Sequence, residues 1–566
     1  MTDGEFGSPQ SIIRGTPLDA EPGLGALTLP GFLRDVTKRY AAREALVLHH
    51  PDGQVERWSY AQLWDRALLV ARSLVACGIG KGSRVGVMMT NRPEWVASVF
   101  GAGLAGGIAT PLSTFSTAAE LDLLLRLSNV SILLFERRVV KKDFARMLLE
   151  LEPEIGRAPA GSLLSTRFPQ LRHLVVVGEP LEEGIETWAD FLDRGSSVPV
   201  DLVQARAEAT NPSDPGALFF SSGTTGKPKG VLSAQRGVVI QCWRWCRILL
   251  LGDDVRSWTP NGFFWSGNFA SVLGATLAAG GCVVLQPTFE PAEALDLMER
   301  ERVTRPFAWP HQYEQLAAAP NWLGVDLSSF RYADRRNQVG RHPTVSTTWE
   351  EPMSAYGNTE TFTISAVFPS NTPFEIAGNS HGEALPGNTI KIVDPLTGAV
   401  VPRGARGEIA VKGPTLMLGY LGVPLEETFD EEGFFRTGDG GYIDERDRLV
   451  WEGRLNDIIK TGGANVSPLE VDEVLATHPG VKVARTVGVP HDTLGEMVVA
   501  CVVRHEGAEL TESAIRDFLK SRLASYKIPR RVLFVNEDEL SLTGSAKVKL
   551  SELRKLAQTK LEDIPG

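Results

Sequence analysis

The chain has 566 residues, a formal net charge of −11, and 43% hydrophobic and 22% charged residues. This length exceeds what one hydrophobic core usually serves, so we expect several domains in an ordinary globular protein. An acidic chain without a clustered Lys/Arg stripe is not expected to bind nucleic acid. The sequence has no apolar run of membrane-spanning length and no visible secretory signal, which predicts a cytoplasmic location.

Strand and helix patterns alternate along most of the chain, which is typical of an α/β fold. Taken in chain order, the patterns predict a strand at 84–89, a helix at 93–105, strands at 130–135, 217–220 and 282–285, and helices at 291–301 and 311–318. Short β-rich runs separated by Pro/Gly turns predict a small β-barrel-like subdomain between Gly382 and Val450. We therefore expect a large N-terminal domain of layered α/β subdomains.

A second, smaller α/β domain is expected at the C-terminus. The residues Ser467-Pro468-Leu469-Glu470 have the form of a capping box and open a predicted helix that Pro479-Gly480 stops. Strands at 481–489 and 497–503 and a helix near 512–523 follow this helix. The predicted division is therefore 1–455 for the N-terminal domain and 456–566 for the C-terminal domain.

The five cysteines are scattered and odd in number, which fits reduced thiols in a cytosolic protein. Cys242 and Cys246 are four residues apart on a predicted helix and could share one face. Because no second pair of Cys or His lies nearby in the sequence, apolar packing is favoured over zinc binding.

The stretch from Ser221 to Gly230, SSGTTGKPKG, directly follows the apolar run Ala217–Phe220. Glycines let backbone N–H groups approach phosphate oxygens, the hydroxyl groups add donors, and Lys227 and Lys229 supply positive charge. The spacing is not that of a Walker A motif. A flexible surface loop is the alternative, but a strand that leads into this loop predicts a polyphosphate-binding site.

Four further motifs follow in order: Tyr356-Gly357-Asn358-Thr359-Glu360, Arg436-Thr437-Gly438-Asp439, the segment Gly453–Lys460, and Thr543–Lys549. Together with the loop, they resemble the motifs of the acyl-adenylate-forming superfamily, which includes acyl-CoA synthetases, adenylation domains of peptide synthetases and beetle luciferases. The resemblance covers nearly the whole chain. It implies a ligase that consumes ATP, requires Mg²⁺, and makes acyl-AMP from a carboxylic acid.

The resemblance also implies roles for single residues in binding ATP or AMP. The loop residues would hold the phosphates; they are Ser221, Ser222, Gly223, Thr224, Thr225, Gly226 and Lys227. Tyr356 would stack on adenine, Thr359 would contact the α-phosphate, and Glu360 would help to hold Mg²⁺. Asp439 and Arg454 would bind the ribose hydroxyls.

By the same resemblance, Lys547 is the catalytic lysine that bridges the acid and the α-phosphate. The small domain would then turn about a hinge at Asn456 to present CoA, whose pantetheine arm would pass Gly462 and Gly463. Members of the family commonly have Asp or Lys at the hinge, so Asn456 is a departure from the pattern.

Two more departures concern the walls of the expected site. The family usually has a Gly-Gly-Ala-Pro-like stretch before the aromatic motif, whereas this chain has Ala333–Gln338, ADRRNQ. Such a change predicts a remodelled adenine-side wall or a partly disordered segment. Phe264 and Trp265 stand where many acyl- and aryl-CoA synthetases have an aromatic-His pair, and they could form an apolar gate.

This apolar gate, with further tryptophans nearby in the sequence at Trp243, Trp245 and Trp309, favours a hydrophobic acid of medium or long chain or of bulky cyclic shape. Packing of the same aromatics in the core is the alternative. Three functions stay open: an acyl-CoA ligase, a stand-alone adenylating enzyme that serves a carrier protein or an amine, and a catalytically inactive nucleotide-binding relative. A homodimer is also left open.

Overall fold

The computed structural model describes residues 10–180, 182, 184–221, 228–457, 459–461, 464–491, 494–520, 522–523, 527–540 and 548–562. They form two compact units. The larger unit comprises Arg14–Thr389 and Val411–Phe435, and the smaller unit comprises Ile390–Ala410 with the described residues before Arg14 and after Phe435. Helices and mixed sheets occur in both, which confirms the predicted α/β class.

The strands are β1 (Ile12–Arg14), β2 (Glu44–His49), β3 (Val55–Ser59), β4 (Arg84–Met88), β5 (Ile108–Pro111), β6 (Ile132–Glu136), β7 (Arg138–Val139), β8 (Lys142–Asp143), β9 (His173–Val177), β10 (Glu186–Thr187), β11 (Pro215–Ser221), β12 (Lys229–Ala234), β13 (Arg256–Trp258), β14 (Cys282–Leu285), β15 (Arg305–Pro306), β16 (Ala355–Tyr356), β17 (Ala366–Val367), β18 (Glu383–Ala384), β19 (Thr389–Val393), β20 (Gly407–Lys412), β21 (Gly419–Tyr420), β22 (Phe435–Ile443), β23 (Leu449–Arg454), β24 (Ile459–Thr461), β25 (Ala464–Val466), β26 (Val481–His491), β27 (Gly495–Arg504) and β28 (Arg531–Phe534).

The helices are α1 (Leu29–Arg39), α2 (Tyr60–Ala76), α3 (Pro93–Leu104), α4 (Ala118–Ser128), α5 (Phe144–Leu151), α6 (Trp188–Arg194), α7 (Val200–Glu208), α8 (Gln235–Ile248), α9 (Ser266–Asn268), α10 (Ala275–Ala279), α11 (Pro291–Arg300), α12 (Pro310–Ala317), α13 (Phe374–Ala377), α14 (Leu425–Thr428), α15 (Pro468–Ala476), α16 (Glu512–Lys520) and α17 (Leu550–Glu562). None of the helices in the described ranges has both the length and the apolar character needed to cross a membrane.

An eight-stranded sheet of the larger unit has the order β10-β9-β6-β4-β5-β11-β12-β21. Neighbouring strands from β10 to β11 run parallel, and their apolar runs are buried, as expected for strands covered on both faces. The β11–β12 and β12–β21 pairs are antiparallel. The candidate phosphate loop therefore connects the two strands of a hairpin.

A second sheet of the larger unit has the order β15-β13-β14-β2-β3, in which only β3 is antiparallel to its neighbour. The helix that separates β13 from β14 contains a π-helical stretch, Phe269–Gly274, between α9 and α10. Such a stretch widens the helix locally and is often found at functional sites. It lies directly after the predicted gate residues Phe264 and Trp265.

The smaller unit contains two five-stranded sheets. One has the order β1-β19-β20-β22-β23, and the other has the order β25-β24-β27-β26, with β28 paired to β27. The predicted helix after Ser467 is confirmed as α15, but its capping box is only half formed. Ser467 Oγ accepts a hydrogen bond from the Glu470 amide, whereas the Glu470 carboxylate accepts one from Lys527 Nζ at 2.7 Å instead.

Helix α15 also carries a buried acid, Asp472, beside Arg485 and Thr486. Burial raises the pKa of Asp472 to about 7, and its Oδ2 lies 3.7 Å from Arg485 Nη1. Because this pKa is higher in the folded than in the unfolded chain, the folded state binds more protons between about pH 4 and about pH 7. The contribution of Asp472 to stability is therefore lost as the pH rises through that window.

We expect Asp472→Asn to remove this pH dependence, which amounts to roughly 4 kcal/mol in the free energy of unfolding. Urea unfolding of both proteins at several pH values in this window measures how steeply the free energy of unfolding of each one changes with pH. Asp517→Asn is the matched control, because the Asp517 carboxylate is exposed and pairs with Lys520 on the surface. Equal slopes for wild type and Asp472→Asn would show that Asp472 does not titrate in this range.

Candidate active site

The hairpin of β11 and β12 places the two ends of the candidate phosphate loop side by side. Ser221 is the partner of Lys229 in the strand register, so the loop is closed by these two residues. Ser221 Oγ is buried and has no hydrogen-bond partner among the described residues. The predicted phosphate ligands Ser222, Gly223, Thr224, Thr225, Gly226 and Lys227 lie outside the described residues. An unsatisfied hydroxyl and a lysine thus stand where a polyanion is expected.

The Tyr356–Glu360 motif forms a tight turn after β16. Asn358 caps a short 3-10 helix, because its Oδ1 accepts a hydrogen bond of 3.0 Å from the Thr361 amide. A side chain at Gly357 would place its Cβ 2.0 Å from the Thr363 carbonyl oxygen, so only glycine fits there. The turn presents Thr359 and Glu360 from one short, hydrogen-bonded segment.

The backbone that follows Glu360 is strained, and α8 holds it in place. Phe362 and Thr363 have φ angles of 45° and 94°, a conformation that side-chain-bearing residues rarely adopt. From α8, Gln241 Nε2 donates to the carbonyl oxygens of Thr361 and Ile364 at 3.1 and 2.7 Å. Trp245 Nε1 donates to Thr363 Oγ1 at 3.0 Å. Because α8 begins directly after β12, one continuous segment supports both motifs.

Tyr420 joins the phosphate loop to the Tyr356–Glu360 motif. It lies on β21, opposite Val231 of β12, and its hydroxyl donates a hydrogen bond of 2.7 Å to Glu360 Oε1. Lys229 Nζ lies 4.9 Å from the centre of the Tyr420 ring, a cation–π distance. Sequence analysis missed Tyr420, because nothing near it in the sequence indicates that β21 would pair with β12.

These residues fit a magnesium–polyphosphate ligand. Magnesium ions in phosphate sites are usually held by one or two carboxylates together with phosphate oxygens and water. In the described part of the chain no group of three His, Cys, Asp or Glu side chains that could hold a metal ion occurs, and Glu360 offers a single carboxylate, which Tyr420 of the strand next to β12 contacts. Glu360 would hold the ion, and Ser221 and Lys229 would face the phosphates.

The two predicted ribose ligands are neighbours in the smaller unit. Asp439 of β22 is the register partner of Arg454 of β23, and Arg454 Nε lies 3.0 Å from Asp439 Oδ1. Arg454 Nη1 also donates a hydrogen bond of 2.7 Å to the Thr437 carbonyl oxygen. Asp439 is 3% exposed, so the ion pair with Arg454 offsets much of the cost of burying its charge.

The predicted acyl gate is an aromatic cluster. The ring of Phe264 packs against Trp265 at 5.4 Å and edge-on against Phe115 at 5.6 Å between centroids. Phe264 is 7% exposed, whereas Phe115 is 57% exposed, so the cluster runs from the surface into the protein. Trp243 has a different role, because it packs against Phe32 in the core and donates to the Ala26 carbonyl oxygen.

The segment Ala333–Gln338, which departs from the family pattern, is organised by an ion pair. The Asp334 carboxylate accepts two hydrogen bonds of 2.9 Å from Arg336 Nε and one of 2.7 Å from the Glu351 amide. Asp334 is buried beside the residues that precede Tyr356. The contacts favour a remodelled wall over a disordered segment.

Several predicted residues lie outside the described part of the chain. They are Gly462, Gly463 and Lys547. The backbone of Asn456 lies in a short 3-10 turn, Leu455–Asp457, but its side chain is not among the described groups. The structure therefore tests neither the hinge, the CoA contacts nor the catalytic lysine.

Two regions of the chain match models of known protein families. Residues 33–421 match the AMP-binding enzyme family, and residues 470–547 match the AMP-binding enzyme C-terminal domain. The chain belongs to the AMP-binding enzyme family. This confirms the resemblance stated from the motifs.

Similar proteins of known sequence are acyl-CoA ligases. The putative acyl-CoA synthetase YngI of Bacillus subtilis is 28% identical over 93% of this chain and 96% of its own length. A 3-[(3aS,4S,7aS)-7a-methyl-1,5-dioxo-octahydro-1H-inden-4-yl]propanoyl:CoA ligase of Mycobacterium tuberculosis is 31% identical over 93% of this chain and its full length. Human medium-chain acyl-CoA ligase ACSF2, which is mitochondrial, is 28% identical over 94% of this chain and 88% of its own length.

Solved structures agree with this assignment. The anthranilate CoA ligase AuaEII with anthranoyl-AMP superimposes with a TM-score of 0.76 at 25% identity, covering 94% of this chain and 98% of AuaEII. ATP-bound MatB from Rhodopseudomonas palustris superimposes with a TM-score of 0.73 at 26% identity, covering 94% and 99%. The chain is thus an AMP-forming acid–thiol ligase, with ATP and CoA as substrates and Mg²⁺ as the accompanying ion.

We expect Tyr420→Phe to raise the Mg²⁺ concentration needed for half-maximal activity about tenfold, because Glu360 loses the hydroxyl that orients its carboxylate. Titration of the rate with Mg²⁺ at saturating ATP measures the effect. Tyr442→Phe is the matched control, since the Tyr442 ring packs under Arg406 in the smaller unit. An unchanged Mg²⁺ dependence in Tyr420→Phe would contradict the orienting role.

Proposed function

We propose that this ligase activates a hydrophobic carboxylic acid, of medium or long chain or of bulky cyclic shape, as acyl-AMP and then forms the CoA thioester. The observation that supports the acid class is the aromatic cluster of Phe115, Phe264 and Trp265, in which an exposed ring packs against a buried one. The names of similar proteins support the same class, since they include medium-chain and polycyclic acyl-CoA ligases.

The proposed adenylation step relies on positioning and charge neutralisation. A carboxylate oxygen attacks the ATP α-phosphorus, and pyrophosphate leaves towards the loop Ser221–Lys227. Mg²⁺, when bound at Glu360, would neutralise the phosphate oxygens. Thr359 contacts the α-phosphate, and Lys547 bridges the acid and the α-phosphate as negative charge develops there.

The remaining residues of the proposed site bind the nucleotide and guide the CoA thiol to the acyl group. Tyr356 stacks on adenine, and Asp439 with Arg454 binds the ribose. A mobile C-terminal domain, from residue 456, turns about Asn456 so that Gly462 and Gly463 line the path of the pantetheine arm. The CoA sulfur then attacks the acyl carbonyl carbon, and AMP leaves. The cytoplasmic location and the homodimer stay predictions.

The test is ATP–pyrophosphate exchange with a panel of fatty, aromatic and polycyclic acids, followed by detection of the CoA thioester by mass spectrometry. We expect exchange and thioester formation with hydrophobic acids and much slower exchange with acetate. Exchange with short polar acids alone would contradict the proposal of a hydrophobic acid. Exchange without any thioester would point to an amine or a carrier protein as the acceptor. No exchange with any acid would contradict adenylation itself.

Lys547→Ala should reduce acid-dependent exchange about a hundredfold to a thousandfold, because the developing charge at the α-phosphate loses its cation. Thioester formation from separately prepared acyl-AMP should change much less. Lys549→Ala is the matched control, since Lys549 is a half-exposed lysine that pairs with Glu552. If Lys547→Ala adenylates normally, the assignment of this lysine is wrong.

Trp265→Ala should raise KM for the preferred acid about tenfold and leave KM for ATP within about twofold, since only the acyl path loses apolar surface. Steady-state kinetics with each substrate varied measures both constants. Trp188→Ala serves as the control, because Trp188 packs against Phe191 on α6 and has no ring contact with Phe115, Phe264 or Trp265 among the described residues. Equal changes in both constants would indicate general damage and contradict a gate role.

A further inference from the structure

The turn that precedes the aromatic cluster, Asn261-Gly262-Phe263, is held by the side chain of Asn91. Asn91 Nδ2 donates a hydrogen bond of 2.9 Å to the Asn261 carbonyl oxygen, and Asn91 Oδ1 accepts one of 3.1 Å from the Phe263 amide. Asn91 is 4% exposed, so water competes little for either bond. One amide side chain thus closes both ends of a three-residue turn.

The middle residue of this turn lies directly against the Phe264 ring. A Cβ at Gly262 would stand 2.1 Å from that ring, so the ring rests on the bare backbone of the turn. The neighbouring Phe263 ring is fully buried and packs against Trp95 of α3 at 5.4 Å. The Phe264 ring instead packs against the exposed Phe115. The position of the turn therefore sets the position of the Phe264 ring.

Asn91 is itself anchored to the eight-stranded sheet. It follows the end of β4, and both of its neighbours in sequence contact Glu136, the last residue of β6. The Thr90 amide and hydroxyl donate to Glu136 Oε2 at 3.0 and 2.7 Å, and Arg92 Nη1 lies 3.1 Å from Glu136 Oε1. Asn91 therefore has little freedom to follow a displacement of the turn that it holds.

The hydrogen bonds of Asn91 join the two largest sheets of the larger unit at equivalent places. Asn91 lies beyond the carboxyl end of β4 in the eight-stranded sheet, and Asn261 lies beyond the carboxyl end of β13 in the second sheet. Both strands run parallel to the strands on either side of them. Open α/β sheets bind ligands beyond these ends, so the contact stands where a ligand is expected.

A second amide side chain holds the same turn from α12. Gln312 Nε2 donates a hydrogen bond of 3.0 Å to Asn261 Oδ1, and Gln312 Oε1 accepts one of 2.8 Å from the Trp309 amide. Gln312 is 8% exposed. Substitution of Gln312 thus loosens the turn without altering Asn91.

We infer that Asn91 is a positioning residue for the acid, because it fixes the turn Asn261–Phe263 and, through this turn, the Phe264 ring. This inference rests on the proposed function, in which Phe264 and Trp265 form the gate on the acyl side. Asn91 acts through the Phe264 ring and takes no part in the reaction steps. It determines how precisely the ring meets the acyl chain, and hence which chain length the ligase prefers.

The loss of Asn91 should affect the acid and ATP differently. Without this side chain, the Asn261 carbonyl oxygen and the Phe263 amide lose their buried partner, so the turn is expected to shift until both groups are satisfied elsewhere. The shift moves the Phe264 ring. The β11–β12 hairpin and the Tyr420–Glu360 hydrogen bond do not involve Asn91. The effect should therefore appear in the kinetics of the acid rather than in those of ATP.

The test measures ATP–pyrophosphate exchange with straight-chain acids from hexanoic to tetradecanoic acid. We expect Asn91→Ala to raise KM for the acid that the wild type prefers about tenfold and to keep KM for ATP within about twofold. The ratio of the highest to the lowest kcat/KM in the series should fall at least about threefold. Equal changes in both KM values, or an unchanged KM and ratio for the acids, would overturn the inference.

Asn321→Ala is the matched control. The Asn321 amide also donates to a backbone carbonyl oxygen, that of Ala292 at 2.9 Å, and none of its hydrogen bonds within the described ranges reaches residues 259–269. This variant should leave the KM for the acid and the ratio within the series unchanged.

A double-mutant cycle with Phe264→Ala tests whether Asn91 acts through this ring. Because Phe264→Ala removes the ring that the turn positions, the further change Asn91→Ala should lower kcat/KM for the preferred acid by less than about threefold. A further loss of about tenfold, equal to that in the wild-type background, would show two independent effects and overturn the positioning role.

These outcomes are distinct from a failure of the proposed function. No exchange with any acid in the wild type would contradict adenylation, and an unchanged KM for the acid in Phe264→Ala would contradict the gate together with this inference. A sensitive Phe264→Ala beside an insensitive Asn91→Ala would overturn only the role of Asn91.

Thermal unfolding of each variant separates loss of the fold from loss of selectivity. If Asn91→Ala is too unstable to assay, Gln312→Ala provides the second probe, because it releases the same turn from α12. It should raise KM for the preferred acid at least about threefold at an unchanged KM for ATP. No change in KM for the acid would then overturn the inference that this turn positions the gate.

Discussion

The antiparallel pairing of β11 with β12 is the constraint on which the candidate site depends. Its register brings Ser221 beside Lys229, starts α8 directly after β12, and aligns β21 so that Tyr420 reaches Glu360. In a strand pair, a shift by one residue would turn every side chain to the opposite face. Backbone hydrogen bonds of the hairpin therefore hold Ser221, Lys229 and the start of α8 in place, and the Tyr420 hydroxyl connects Glu360 to the same strands.

Buried polar groups divide into those that serve the fold and those that leave capacity for a ligand. In the Arg244–Glu21 and Asp334–Arg336 pairs, a carboxylate is in contact with the guanidinium. Ser221 Oγ, by contrast, is buried without a hydrogen-bond partner among the described residues, and Ser221 is the last residue of β11, next to the candidate phosphate loop. This hydroxyl is therefore free to bind a phosphate oxygen, as the proposed function requires.

Most strands and helices could be predicted because their apolar periodicity is local. The runs at β4, β14 and β19 and the helices α3, α11 and α15 follow such patterns closely. The glycine-rich loop was recognisable from its residue types after a strand, and the Tyr356–Glu360 motif from its resemblance to the family. By contrast, the two-residue strand β21 and its Tyr420 depend on a partner distant in sequence. Arg305 stands in a short segment where a charge usually signals exposure, so its burial could not be predicted from its neighbours.

The strained turn after Glu360 has a consequence for how this site can change. Phe362 adopts a left-handed backbone at a cost of about 1 kcal/mol, while its buried ring packs edge-on against Phe219 of β11 at 5.3 Å. Glycine would relieve the backbone but leave a void beside the strand that leads to the phosphate loop, and a smaller apolar residue would keep the strain while losing the contact. Neither replacement relieves the backbone strain while keeping the ring contact. We therefore expect changes in acid selectivity to arise from substitutions in the acyl pocket rather than in this turn.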